Sequence, residues 1–317
     1  MTAMEPSNDK LTYREDVSWL IKTQDPVLVF EEVKRTLGMF MPDFDLREVE
    51  QCFDDTVSLF RGTYPGYRAC NTEYHDLKHT TDVFLALASL FHGYSLCGEP
   101  LKPRTVRLSL IAALMHDSGY IQAHYENLGT GARFTEVHVE RSIAFLEEYF
   151  KRTGWDKDDY RSAARMVIAT DLKHTISDIP FKSEAEAQGA KALFVADILG
   201  QMADRVYLEK LLFLYQEFSE AGIMEYSSEQ ELLEKTVGFY EMAWKKLINE
   251  AGYKEEHLHR HFEVRWGIPR DLYAHAADKN IDFLQYILKN HKNRHREMLN
   301  RGGLVSQLMH KDEEATT

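Results

Sequence analysis

Apolar residues in this chain recur at steps of three and four over most of its length. No stretch alternates in steps of two for long enough to make a sheet strand. Val27, Phe30, Val33 and Leu37 set the pattern, which Gly38 follows. Asp45 is placed to cap a helix carrying Leu46, Val49, Phe53, Val57 and Phe60, closed by Gly62. Further helices are predicted over 80–91 and 105–116, and from Thr135 through Val139, Ile143, Leu146 and Phe150 to Gly154. The same period predicts helices over 158–173, 185–218, 228–251 and 278–299. Only eight prolines and seventeen glycines interrupt 317 residues. The expected architecture is all-α: a polar tail and helical extension over 1–44, one helical domain over 45–300 whose last helices form a cap, and a tail over 301–317.

Charge excludes one broad function. Thirty-eight Lys and Arg stand against fifty-one Asp and Glu, a net charge of −13, so the chain is not built to grip nucleic acid through its overall field. A small anionic substrate stays compatible, because a bound cation reverses the field locally. No apolar run approaches the length of a membrane span, and the first residues lack the basic-then-apolar layout of a signal peptide. Cys52, Cys70 and Cys97 form no CxxC pair. A cytoplasmic protein without disulfides or membrane contact is expected.

Four segments place metal-type ligands on a helix or at its end. In Glu73-Tyr74-His75-Asp76-Leu77-Lys78-His79, the two histidines are four apart and would share one helix face. In Leu114-Met115-His116-Asp117-Ser118-Gly119, an apolar helix delivers adjacent His and Asp to its end, the one place where both reach a common point. Val137-His138-Val139-Glu140 lies on the next helix, and Asp171 and His174 stand in Ala169-Thr170-Asp171-Leu172-Lys173-His174. Asp197 is the lone charge in a long apolar run, where an unpartnered carboxylate is costly. The remaining histidines have plainer readings. His92, His124 and His275 read as satisfied core residues, His257, His259 and His261 as a solvated loop or helix face, and His291 and His295 as part of a basic surface stretch.

The order His79, His116-Asp117, Asp197 resembles the H…HD…D signature of the HD-domain metal-dependent phosphohydrolase superfamily. Tyr74-His75-Asp76-Leu77-Lys78-His79-Thr80-Thr81-Asp82-Val83 is similar to the YHNxxHxxDV string of cyclic-nucleotide phosphodiesterase catalytic domains, with Asp76 in place of Asn. Ala112 to Asp117, Ala169 to His174 and Val195-Ala196-Asp197 resemble three further strings of that family. The match departs after Asp117, where Ser-Gly-Tyr follows, and in lacking the family's glutamine and phenylalanine purine clamp; Phe283 and Gln285 do not fit its context. The ligand order also resembles HD-GYP phosphodiesterases and di-iron oxygenases, which use an H…HD…H…H…D set.

The resemblance implies an HD-type helical bundle holding divalent metal, two ions in the fullest version, drawn from Mn²⁺, Zn²⁺, Fe²⁺ and Mg²⁺. His79, His116, Asp117 and Asp197 would hold the first. His138 and His174 either complete a second site or face the substrate. The implied reaction is hydrolysis of a small phosphorylated or nucleotide substrate by a metal-activated water, with His75 giving a proton to the leaving group and Asp171 orienting water or a ligand. An oxygenase on the same scaffold and a non-catalytic nucleotide-binding module are the alternatives.

Overall fold

The computed structural model describes residues 16–291, 294–299 and 303–306. Residues 1–15 and 307–317, which hold the ends of both expected tails, lie outside them. Among the described residues the chain is all-α; there is no strand, and ladder pairing is limited to one bridge between Tyr67 and Ala123.

The core is built around α3 (Leu77–Leu96), buried continuously from His79 to Gly93. A helix apolar on every side has to lie in the interior, and α3 is enclosed by α1 (Pro26–Phe40), α4 (Pro103–Met115), α7 (Glu184–Met202) and α10 (Glu255–Trp266). Residues 26–40, expected as part of an extension, share this core. Val29, Val33 and Leu37 are buried, and Phe30 stacks on Phe53 of α2 (Arg47–Phe60) at 4.6 Å and on Phe84 at 6.3 Å. α1 runs through Gly38 rather than stopping before it. α5 (His138–Thr153) and α6 (Lys157–Ile168) pack against each other beside α4, and α5 ends at Gly154 with φ 73°.

At three places where the helices depart from the periodic reading, a polar side chain captures the backbone. α6 stops at Ile168, five residues early, where the Thr170 hydroxyl donates to the Val167 carbonyl and Asp171 accepts from the Lys173 N–H. The run over 185–218 is two helices. Asp204 accepts from the Val206 N–H and pairs with Lys78 at 3.1 Å, so α8 (Tyr207–Glu220) leaves in a new direction after α7. The last run begins at Leu272 and ends at Asn290 as α11, with Asp271 capping its start. α9 (Glu229–Asn249) follows Ser228 as expected.

The histidine-rich segment 257–261 is a correction. It lies in α10, and His257 and His261 are each only 2% exposed. Gly93 explains the close crossing with α3, because a Cβ there would overlap the His257 carbonyl. His92 and His261 meet through their Nδ1 atoms at 3.0 Å. His291 and His295 do not face one another as a chelating pair: the ring of His291 meets Tyr286, and that of His295 pairs with Glu229. Cys52, Cys70 and Cys97 are free, and no described helix is long and apolar enough to cross a membrane.

Candidate metal centre

α3 begins at Leu77, three residues earlier than expected, because Asp76 caps it by accepting from the His79 N–H at 2.8 Å. Lys210 on α8 holds the same carboxylate at 3.0 Å. This cap fixes the first turn and aims His79 inward. It also corrects the shared-face reading, since His75 lies before the helix and reaches the site from the preceding turn.

α4 ends at Met115, and the chain turns sharply through His116 and Asp117 into a short 3-10 turn, Ser118–Tyr120. His116 Nδ1–H donates to the Ala113 carbonyl at 2.8 Å, which leaves the Nε2 lone pair facing His79. Asp197 arrives from α7, and Gln201 one turn later donates to its Oδ1 at 3.2 Å. Tyr74 donates to Gln201 in turn at 3.0 Å.

The four side chains converge. Nε2 of His79 lies 3.4 Å from Nε2 of His116, 3.4 Å from Oδ2 of Asp117 and 3.3 Å from Oδ1 of Asp197. Nε2 of His116 lies 3.4 Å from the same Asp117 oxygen and 3.6 Å from the same Asp197 oxygen. Neighbouring donors on a cation bound at about 2.0–2.2 Å sit about 2.8–3.6 Å apart, a spacing that His79, His116 and Asp117 share as one mutually close group, with the Asp197 oxygen facing the two histidines. A second observation agrees: Asp117 Oδ2 is buried and has no hydrogen-bond partner, and a buried carboxylate oxygen without one is costly. Two imidazoles and two carboxylates suit a borderline divalent cation.

The electrostatics follow from that crowding. Burial pushes the His79 imidazole toward neutrality, but Asp117 and Asp197 outweigh it and hold its pKa up at about 10. Burial likewise opposes ionisation of both aspartates, and the facing histidines reverse it, keeping Asp117 and Asp197 below the ordinary carboxylate range. The cluster therefore keeps its carboxylates ionised at neutral pH.

His138 faces the other oxygen of Asp117. Its Nδ1–H donates to the Thr135 carbonyl at 2.6 Å, and its Nε2 lies 3.9 Å from Asp117 Oδ1. Asp117 thus presents one oxygen to the His79–His116 pair and the other to His138. Gly119 makes this possible, because a Cβ there would overlap the His138 carbonyl. His174 is not brought into the cluster. The early end of α6 leaves its side chain 54% exposed, against Asp171 at 3.7 Å. Asp171 itself lines the cavity above the cluster.

His75 borders the same cavity with its ring stacked on Tyr120, centroids 4.1 Å apart. Its Nδ1 bonds to Oε2 of Glu217 on α8 at 2.8 Å, so Nε2 faces inward, 3.4 Å from the Tyr120 hydroxyl. The other Glu217 oxygen accepts the N–H groups of Glu73 and Tyr74. The motifs missed Glu217: it follows His75 by 142 residues and is brought back only by the bend between α7 and α8.

Fold and site together define an all-α protein with a buried His/Asp cluster of which His116, Asp117 and Asp197 border a cavity. A family model identifies the group: the chain belongs to the Npun_R2479-like family, which matches residues 66–275 and therefore spans His75, the whole cluster and Glu217. No curated protein matches the chain.

Proposed function

We propose that this protein is a metal-dependent phosphoester hydrolase. The observation that carries the reading is the cage of His79, His116, Asp117 and Asp197, with interatomic spacings of 3.3–3.6 Å along the measured edges and one buried oxygen lacking a partner. A divalent cation held there supplies Lewis acidity, acidifying water and offsetting charge on phosphoryl oxygens. The resemblance to HD-type phosphohydrolases points the same way.

The chain's own residues supply the remainder. Glu217 accepts the Nδ1 proton of His75 and leaves Nε2 directed into the cavity, where a protonated ring gives its proton to a departing alkoxide. His138 borders the free side of Asp117 and contributes either to a second cation or to the phosphoryl group. The oxygenase alternative calls on His174 as a sixth ligand, and that ring sits away from the cluster.

The test is chelator-stripped protein reloaded in turn with Mn²⁺, Mg²⁺, Zn²⁺ and Fe²⁺ and assayed on cyclic nucleotides, linear nucleotides and aryl phosphodiesters. Metal-dependent release of an alcohol from one of these classes is the expected result. Bound metal with no cleavage, or oxygen uptake with Fe²⁺, would overturn the reading.

A further inference from the structure

The cavity that contains the cluster has a volume of about 430 Å³, and its two ends differ in chemistry. His75, Asp117, His138 and Asp197 line one end. The other lies between α8 and α9, lined by Leu211, Leu214, Phe218, Ile223, Leu232 and Phe239.

Three of the polar side chains that line the cavity beside these apolar groups are already engaged, while Glu225 and Tyr226 border it as well. The Thr236 hydroxyl donates to the Leu232 carbonyl of its own helix at 2.8 Å. Lys235 donates to the Glu225 carbonyl at 2.8 Å, pairs with Glu231 at 3.0 Å and lies 5.0 Å from the Tyr226 ring centre. Gln201, the side-chain amide on the cavity wall, is spent between Tyr74 and Asp197. A nucleobase has to compete for those engaged groups, whereas a hydrocarbon against the six apolar side chains needs no polar partner.

We infer that the substrate is a phosphoester of an apolar alcohol, alkyl or aryl, whose hydrocarbon fills the α8–α9 end while its phosphoryl group meets the cluster. The inference rests on the hydrolase reading above. In the reaction a water oxygen forms the new bond to phosphorus and the bond from phosphorus to the alcohol oxygen breaks. The alkoxide takes the His75 proton and leaves as the free alcohol, and the proton released by water restores the ring.

The test measures binding apart from turnover. n-Alkylphosphonates from methyl to octyl are titrated calorimetrically into Mn²⁺-loaded protein, with adenosine monophosphate for comparison. Affinity rises about 2- to 4-fold per added methylene, with a heat-capacity change that grows more negative along the series. Leu214→Asn flattens that slope and Leu214→Met preserves it. Equal affinity across the series, or adenosine monophosphate binding more tightly than octylphosphonate, would overturn the inference. p-Nitrophenyl alkyl phosphodiesters are assayed in parallel. Chain-length-dependent binding without cleavage of any of them supports the apolar subsite and overturns only the hydrolase reading.

Discussion

Nδ1 of His75 and Oε2 of Glu217 lie 2.8 Å apart, a contact that joins the turn before α3 to the far end of α8. The carboxylate fixes the tautomer, and stacking on Tyr120 fixes the plane of the ring. Nε2, the nitrogen that Glu217 does not hold, is thereby aimed into the cavity.

His75→Ala keeps its metal and lowers kcat by about 10²- to 10⁴-fold, the usual share of a positioned general acid. Glu217→Gln retains an oxygen for the Glu73 and Tyr74 N–H groups but offers Nδ1 a donor, favouring the other tautomer. It lowers kcat by about 10- to 100-fold. The double variant is no slower than His75→Ala alone, since the two act as a unit. Steady-state kinetics with metal content measured on each sample checks all three, and additive losses would separate the residues.

Metal should stabilise the fold through the same cage. A ligand at 100 times its Kd adds about 2.7 kcal/mol, which for a chain of this size is a rise of about 4 °C in Tm. His116→Ala and Asp197→Asn remove that rise, and His174→Ala leaves it intact. Differential scanning calorimetry with and without chelator decides it; a metal-dependent shift that survives His116→Ala would place the cation elsewhere.

The clustered residues could be singled out because they stand in short local strings: His79 four residues after His75, His116-Asp117 at a helix end, Asp197 in a run with no other charge. Glu217 could not be, since it stands in no local string with His75 and meets it only after the Asp204 turn separates α8 from α7. α10 was missed because its charge count disguised a stripe of His257, Leu258, His261 and Phe262 at helical spacing. His174 was misplaced by an Asx turn that ended α6 early.

The buried His92–His261 pair gives the fold an acid limit. Burial, then the neighbouring His92, drives the His261 pKa down from its ordinary 6.5 to about 3. A depressed histidine stabilises the fold fully above the unfolded pKa. That stability is lost as pH falls through the window from about 6.5 to 3, because the unfolded chain takes up the proton first. The loss is about 2 kcal/mol between pH 6.5 and pH 5. His261→Gln keeps a hydrogen-bonding side chain without the titration, so its urea-unfolding stability falls less steeply than the parent's across that range. Parallel curves for the two proteins would show that His261 does not set the limit.

Glycine supplies the last contrast, between a close approach and an empty site. Gly119 sits where a Cβ would overlap the His138 carbonyl and press on the Ser142 N–H. The Gly119 N–H itself donates to the Ser142 hydroxyl at 2.8 Å. Gly119→Ala therefore pushes α5 away from the Asp117 turn, destabilising the protein by about 1–3 kcal/mol as overpacking does and pulling His138 off the cavity. Gly38 lies within α1 with nothing inside 4 Å of an added Cβ, so Gly38→Ala stabilises by about 0.5–1 kcal/mol through helix propensity and unfolded-state entropy. Thermal unfolding and turnover of the two variants are expected to move in opposite directions for Tm, with activity lost in Gly119→Ala alone. An unchanged Gly119→Ala protein would mean that the approach between the Asp117 turn and α5 relaxes without consequence.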